Sequence, residues 1–169
     1  MGSLQLSLRL WIAPLVFAVT AAMSVSQTEA QMRPLEFRHL QDSLALESRP
    51  ILLLISTDWC VYCRMQKFHV QRNKQFAKNS RHFYYAEFNA ESRDPIQFKG
   101  RSYRYIPGGE TSGVHELAVA LGRHNGTLAY PTWVVMDREL RVIYRHSGVL
   151  NRKELALMTE SLIKWDQPK

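Results

Sequence analysis

The sequence predicts an α/β fold in which helices cover both faces of a central mixed β-sheet. The first observation is the order of the predicted elements, which is helix, strand, helix, strand, helix, strand, strand, helix. Strand–helix–strand units favour parallel neighbouring strands. The second is a short turn at residues 137–139, which makes the strands on its two sides antiparallel. The third is the uncharged apolar run 51–55, which is typical of a strand buried on both faces.

Helices are predicted on either side of this first buried strand. Residues 38–47 suit an amphipathic helix that Pro50 ends. After the strand, the polar residues 56–58 supply turn and cap candidates, with Asp58 favoured as the helix cap. A helical pattern then runs from Cys60 to about Lys78. The expected core contacts of this helix are Met65, Phe68 and Phe76.

The middle of the chain is less regular. The aromatic run 82–88 predicts a second central strand. Residues 89–111 are rich in proline and glycine, and a small hairpin around Gly100 is expected there. Helical periodicity resumes at 114–121, and Gly122 is expected to stop it. The hairpin would use Ile96, Phe98, Tyr103 and Tyr105.

Two strands and a helix are predicted to complete the domain. Residues 132–136 and 141–146 have the composition of the third and fourth strands. The last helix is expected from Asn151 to about Trp165. One apolar face of this helix is formed by Leu155, Met158, Leu162 and Ile163.

The first thirty residues differ in kind from the rest. Arg9 is followed by thirteen uncharged, mostly apolar residues and then by small and polar ones, as in a secretory signal peptide. The apolar run is short for a membrane span, which needs roughly 20 residues, so an uncleaved anchor is the disfavoured alternative. The sequence therefore predicts a signal peptide at 1–30 and one secreted domain at 31–169.

The domain is basic, with a formal net charge of +7. Removing residues 1–30 takes away only Arg9 and Glu29, so the mature charge is the same. The lysines and arginines are scattered without a run of four, which indicates a solvated surface rather than a nucleic-acid site. No nucleic-acid partner is expected.

The only two cysteines, Cys60 and Cys63, lie three positions apart between a predicted strand and a predicted helix. The first turn of a helix has unpaired N–H groups and the positive end of the helix dipole, which stabilise a thiolate. A lowered pKa would make Cys60 a nucleophile near neutral pH. A disulfide closing so short a loop adds little stability. The pair therefore indicates thiol–disulfide exchange rather than a structural staple.

Two other uses of a C-x-x-C motif are disfavoured. A structural zinc site needs four ligands, and this chain has no second cysteine pair and no H-x3-5-H spacing. Covalent haem attachment requires a histidine after the second cysteine, but Arg64 follows Cys63. No metal and no cofactor are expected.

Several segments resemble the thioredoxin superfamily. The segment 59–65, Trp-Cys-Val-Tyr-Cys-Arg-Met, resembles the thioredoxin active-site segment. Tyr130-Pro131-Thr132 resembles the cis-proline loop of the family, and Gly148 resembles the glycine after its antiparallel hairpin. The resemblance covers roughly residues 36–166 and implies a thioredoxin-like fold. The signal peptide and the segment 89–121 are most similar to bacterial periplasmic members of the SoxW-like and disulfide-reductase types.

The resemblance implies a site and a mechanism. Cys60 is expected to be the exposed nucleophile and Cys63 the more buried residue that resolves the mixed disulfide. Trp59 is expected to pack beside the sulfurs, although it also suits a core or rim position. A trans bond before Pro131 is favoured by the sequence alone, but the family implies a cis bond that places the Tyr130 backbone against Cys60. Arg64 either favours the thiolate or is simply solvated.

One position departs from the family. Thioredoxins usually carry a buried acid six residues before the first active-site cysteine, and here that residue is Leu54. The group that deprotonates Cys63 is therefore open. Asp58 and Glu87 are the candidate substitutes, although Asp58 is better explained as a cap and Glu87 as a strand-edge residue.

The expected partners are proteins whose disulfides or dithiols exchange with Cys60 and Cys63. The motif context favours a monomeric periplasmic reductant that a membrane electron carrier recharges. Residues 96–121, an insertion relative to a minimal thioredoxin, are either a substrate-selecting element or a passive surface elaboration. The alternative function is a thioredoxin-fold binding or chaperone module without turnover.

Overall fold

The computed structural model describes residues 33–166. The predicted signal peptide at 1–30 lies outside the described residues, and no helix within them is long and apolar enough to cross a bilayer. The helices are α1 Leu40–Leu46, α2 Val61–Gln71, α3 Lys74–Asn79, α4 Glu116–Gly122 and α5 Arg152–Asp166. The strands are β1 Leu35–Glu36, β2 Ile51–Ser56, β3 Tyr84–Asn89, β4 Ile96–Phe98, β5 Arg101–Tyr103, β6 Tyr105–Pro107, β7 Gly113–His115, β8 Thr132–Met136 and β9 Val142–Ser147.

The main sheet has five strands in the order β1-β3-β2-β8-β9. β1, β3 and β2 are parallel, whereas β8 is antiparallel to both β2 and β9. The strands β4 with β5 and β6 with β7 form two separate antiparallel pairs. The predicted α/β fold with a mixed central sheet is therefore confirmed.

The central strand β2 divides the core into two halves. All six of its residues are buried, as its apolar sequence predicts. Ile51, Leu53 and Ile55 point to one face, where they pack with residues of α1 and α4. Leu52 and Leu54 point to the other face, which α2, α3 and α5 cover. The alternation follows from the period of two in a β-strand, and it places helices on both faces of the sheet.

The prediction of a single helix from Cys60 to about Lys78 is wrong, because the helix is interrupted between α2 and α3. Asn73 begins the second helix, and its side-chain oxygen accepts a hydrogen bond from the Phe76 N–H at 2.9 Å. The Asn73 amide also donates to the Arg152 carbonyl at 3.1 Å, which links the break to α5. Asparagine is a preferred N-cap because its side chain replaces a missing helical hydrogen-bond partner.

Two of the three predicted core contacts of this helix are also wrong. Phe76 is fully buried, but Met65 is 40% exposed and Phe68 is 49% exposed. The buried face of α2 consists instead of Cys63, Gln66 and Val70. A polar glutamine therefore occupies a core position, while two large apolar side chains remain on the surface.

Other boundaries differ by short distances. The two-residue strand β1 was not predicted. The helix expected at 114–121 begins at Glu116, since Val114 belongs to β7, and Gly122 is its last residue rather than its stop. The hairpin around Gly100 is present, but Tyr105 lies in β6 and pairs with β7. The last helix has its expected position, with Leu155 and Leu162 buried.

Buried Gln66 ties α2 to the loop before α5. Its side-chain N–H donates to the Leu150 carbonyl at 3.2 Å, and its side-chain oxygen accepts from the Leu150 N–H. The two bonds satisfy a backbone position that is only 7% exposed. These two hydrogen bonds explain why the polar side chain of Gln66 faces the core.

Replacing Gln66 with Leu should lower the free energy of unfolding by about 2 kcal/mol, because buried backbone groups of Leu150 lose their partners. Urea denaturation of the two proteins measures the difference. Gln71→Leu, at an exposed position of the same helix, should stay within about 0.5 kcal/mol of wild type. Equal effects of the two substitutions would contradict the proposed role of Gln66.

Fully buried His115 connects β3 with α4. Its Nδ1 accepts a hydrogen bond from the Leu117 N–H at 3.1 Å, so its Nε2–H donates to the Asp94 carbonyl at 3.1 Å. Its ring meets Phe88 edge-on, with 5.1 Å between centroids. Burial lowers the pKa of His115 below 6.5, although the Asp94 carbonyl and the charge of Glu116 act in the opposite direction.

We expect His115 to make the fold less stable in mild acid. Below about pH 6.5 the unfolded chain binds a proton at this residue while the folded chain resists it. The contribution of His115 is therefore complete above about pH 6.5 and decreases as the pH falls further. Denaturant unfolding at several pH values should show a steeper loss for wild type than for His115→Asn. The same pH dependence in both proteins would refute this expectation.

Candidate functional site

The two cysteines lie where β2 leads into α2. Cys60 is the N-cap of α2, with extended backbone angles, and Cys63 lies in the first helical turn. The Cys63 N–H points at the Cys60 Sγ, with 3.1 Å between the nitrogen and the sulfur. The two sulfurs form a disulfide, and their Cα atoms are 5.2 Å apart. The same N–H and the helix dipole would stabilise a thiolate on Cys60 after reduction.

The expected exposure of Cys60 is wrong for this oxidised form. Cys60 is 4% exposed and Cys63 is 1% exposed, so both residues are buried. The difference between them still has the expected direction. Cys63 lies on the core-facing side of α2, and Cys60 lies at its N-cap.

The loop before β8 lies beside the dithiol segment. The peptide bond between Tyr130 and Pro131 is cis. In the sheet, Thr132 at the start of β8 pairs with Ile55 near the end of β2, which brings this loop to the same sheet edge as Cys60. The Pro131 carbonyl accepts a hydrogen bond from the Gly148 N–H at 2.8 Å, which fixes the loop from the β9 side.

Trp59 lies at the rim of the site rather than in the core, since it is 64% exposed. Its ring meets the ring of Tyr130 edge-on, with 6.1 Å between centroids. Its indole N–H donates to the Glu91 carboxylate at 3.0 Å. The two aromatic residues that the sequence places 71 positions apart therefore form one wall of the site.

Two further residues, Asn89 and Glu91, hold this wall and are not among the site residues predicted from sequence. Asn89 donates to the Asp58 carboxylate at 3.0 Å, and Glu91 binds Trp59. Asn89 is the last residue of β3, the parallel neighbour of β2, and Glu91 follows two positions later. Because neighbouring parallel strands point the same way, polar residues at the carboxyl end of β3 could have been assigned to the site. The negative charge of Glu91 and partial burial both raise the pKa of Tyr130, burial being the larger cause.

The expected roles of Asp58 and Arg64 are also revised. Asp58 is exposed and is not the helix cap, because Cys60 takes that position. The Arg64 guanidinium donates to the Asp58 backbone carbonyl at 2.9 Å. Arg64 therefore holds the loop before Cys60 rather than being only a solvated side chain.

A buried leucine occupies the position of the missing family acid. Leu54 is fully buried, and it pairs with Glu87 on β3 and with Trp133 on β8. Glu87 is not on an edge strand, since β3 lies between β1 and β2 in the sheet. Its carboxylate binds Lys67 at 2.9 Å and accepts from the Tyr85 hydroxyl at 2.7 Å. Burial and the Glu87 charge raise the pKa of Tyr85 well above 10.

No metal site accompanies the dithiol in the described part of the chain. Across residues 33–166, three or more side chains of His, Cys, Asp or Glu do not converge in a way that would hold an ion.

Comparisons with known proteins give one family match and several similar solved structures. The family model described as a thioredoxin-like domain matches residues 37–163. Among solved structures the chain is similar to a disulphide isomerase from Xylella fastidiosa Temecula1, with 18% identity, a TM-score of 0.48 and coverage of 73% of this chain and 87% of that chain. It is also similar to DsbH oxidoreductase, with 16% identity, a TM-score of 0.49 and coverage of 80% and 86%. For Fasciola hepatica thioredoxin the values are 19%, 0.46, 80% and 100%.

A search of curated protein sequences finds no match. The matched range of the family model includes the cysteine pair and the loop at Pro131. It also spans most of the residues that the structure describes. The chain belongs to the thioredoxin-like domain family.

Proposed function

We propose that this protein is a thiol–disulfide oxidoreductase that reduces disulfides in protein substrates. The observation that carries the proposal is the Cys60–Cys63 disulfide at the start of α2, with the Cys63 N–H directed at the Cys60 sulfur. This placement supplies the electrostatic stabilisation that a nucleophilic thiolate needs. A structural staple over so short a loop would contribute little to stability.

In the proposed reaction the reduced protein donates two electrons. The Cys60 thiolate attacks one sulfur of the substrate disulfide, and the other substrate sulfur leaves as a thiolate that takes up a proton. Cys63, after losing its proton, attacks the Cys60 sulfur of the mixed disulfide. The second substrate sulfur leaves, so the substrate ends as a dithiol and the protein as the Cys60–Cys63 disulfide.

The neighbouring loop would hold the substrate during this exchange. We expect an extended substrate segment to pair with the backbone at Tyr130 and Pro131, because this loop leads into β8 where Thr132 pairs with Ile55, close before Cys60 in the chain. Trp59 and Tyr130 form the aromatic wall on that side. Glu91 and Arg64 act as positioning residues because they hold this wall and the loop before Cys60.

The proposed setting is the bacterial periplasm, reached after removal of a signal peptide at about residues 1–30. A monomer acting as a reductant there needs a membrane electron carrier to restore its dithiol after each turnover. Measuring the reduction potential of the Cys60–Cys63 pair tests the direction. A value near −270 mV would support a reductant, and one near −120 mV would support an oxidant.

Insulin reduction with dithiothreitol tests the activity itself. The oxidised protein should accelerate precipitation of the insulin B chain well above the rate with dithiothreitol alone. Iodoacetamide should also alkylate the reduced Cys60 at pH 7 faster than it alkylates free cysteine. A protein that fails both assays would be a binding module of the same fold and not an enzyme.

A further inference from the structure

The outer face of α2 carries an apolar stripe that begins at the disulfide. Val61, Met65 and Phe68 recur at i, i+4 and i+7, so they share one face of the helix, and we call them the α2 stripe. Their exposed fractions are 64%, 40% and 49%. This face lies opposite the buried residues Cys63 and Val70, so the stripe faces solvent.

The stripe ends in positive charge. Arg72 follows at i+11 on the same face, and its guanidinium lies 4.5 Å from the centre of the Phe68 ring. No carboxylate within residues 33–166 forms an ion pair with Arg72. A surface cavity of about 380 Å³ lies at this end, lined by Phe68, His69, Arg72, Asn151 and Arg152.

We propose that the α2 stripe binds the segment of the substrate next to the substrate cysteine that Cys60 attacks. We infer that it selects segments in which apolar residues are followed by an acidic residue. This inference rests on the proposed disulfide exchange and names its substrate class. The basic residues Arg72 and Arg152 complement a carboxylate, and the exposed apolar side chains complement an apolar residue between that carboxylate and the cysteine.

The spacing follows from the geometry of a helix and an extended peptide. From Val61 to Arg72 the helix rises about 16 Å. An extended segment advances about 3.3 Å per residue, so it covers this distance in about five residues. The preferred substrate therefore has an apolar side chain about three positions from its cysteine and a carboxylate about five positions from it.

The test uses trapping in place of turnover. In a Cys63→Ser protein, Cys60 forms a mixed disulfide with a single-cysteine peptide in a glutathione buffer, and the equilibrium yield reports peptide affinity. Two eight-residue peptides, identical except for Glu or Lys five positions after the cysteine, compete for Cys60. At low salt the Glu peptide should be favoured about fivefold, as expected for an exposed charge pair.

The charge reversal Arg72→Glu in this protein should remove or invert the preference. Arg101→Glu is the matched control, because Arg101 also stacks on an aromatic ring, at 4.9 Å from Tyr103. Arg101 lies in the hairpin of β4 and β5, whose Phe98 packs in the core half on the other face of the sheet from α2. The substitution therefore changes the net charge by the same amount and leaves the α2 stripe unaltered. The control should retain the preference within about twofold.

A second pair of peptides tests whether the α2 stripe selects an apolar residue. With Leu or Ser three positions after the peptide cysteine, the Leu peptide should be favoured about threefold, as expected for about 30 Å² of apolar contact. Phe68→Ala should weaken this preference. Leu46→Ser removes an exposed apolar residue of α1, on the other face of the sheet, and should leave the preference intact.

The outcomes separate the inference from the proposed function. Equal trapping of the Glu and Lys peptides, or an equal loss of preference in Arg72→Glu and Arg101→Glu, would overturn the inference. Turnover of bis(2-hydroxyethyl) disulfide by proteins with both cysteines is the separate readout, since this small neutral disulfide does not reach Arg72. Absence of this turnover in wild type would refute the proposed function, while the trapping result still decides the stripe.

Discussion

Replacing Cys60 with Ser should reduce insulin reduction to the rate of dithiothreitol alone. The substitution removes the sulfur at the N-cap of α2, which is the one that the Cys63 N–H and the helix start would hold as a thiolate. The hydroxyl of serine is not a nucleophile toward disulfides at neutral pH. The measurement is the initial rate of insulin precipitation at equal protein concentration, with the free energy of unfolding determined for the same sample.

The matched variant is Cys63→Ser, and its phenotype should differ. Cys60 should still attack, but the mixed disulfide should accumulate because no second thiol displaces the substrate. Mass spectrometry should therefore find a substrate adduct on Cys60 in Cys63→Ser and none in Cys60→Ser. An adduct on Cys63 of Cys60→Ser, with none on Cys60 of Cys63→Ser, would reverse the assigned roles of the two cysteines.

Replacing Leu54 with Asp should be the most destabilising single change at the site. Leu54 is fully buried in the core half that α2, α3 and α5 cover, so a carboxyl there would exchange water for apolar neighbours that cannot hydrogen-bond it. We expect the free energy of unfolding at pH 7 to fall by about 4 kcal/mol or more. Denaturant unfolding measures the loss, with Leu54→Met as a control of similar volume that should cost less than about 1.5 kcal/mol.

The loss of unfolding free energy caused by Leu54→Asp should depend on pH. Burial and the neighbouring charge of Glu87 would raise the folded-state pKa of the new carboxyl above its unfolded value of about 3.9. The destabilisation should therefore be smallest below about pH 4 and should grow as the pH rises. A loss that is the same at all pH values would show that the charge of Asp is not the cause. Such a result would leave the smaller volume of Asp and the burial of its uncharged carboxyl as the explanations.

The strands and the sulfur pair were predictable because their signals are local. An uncharged apolar run such as 51–55 has few alternatives to a doubly buried strand, and all of its residues are buried. The placement of Cys60 at a helix start follows from the same strand and the polar residues after it. The short turn after β8 likewise requires the antiparallel pair that the structure has.

The helix faces were less predictable because periodicity does not say which partner a face meets. Met65 and Phe68 are apolar and were expected in the core, yet Gln66 takes the core position. The reason lies 84 positions away, where the Leu150 backbone needs both a donor and an acceptor. The break at Asn73 has the same origin, since its amide also bonds to the Arg152 carbonyl.

The sequence by itself determined the elements of the sheet, the place of the dithiol at the start of a helix and the family that the chain resembles. Only the tertiary structure decided what surrounds the sulfurs: Trp59 against Tyr130, Glu91 on the indole, and an apolar stripe in solvent. The physical reason is the range of the interactions. Backbone propensity and apolar burial act between neighbours in the chain, whereas these contacts form only after parallel and antiparallel strands have brought distant segments to one edge of the sheet.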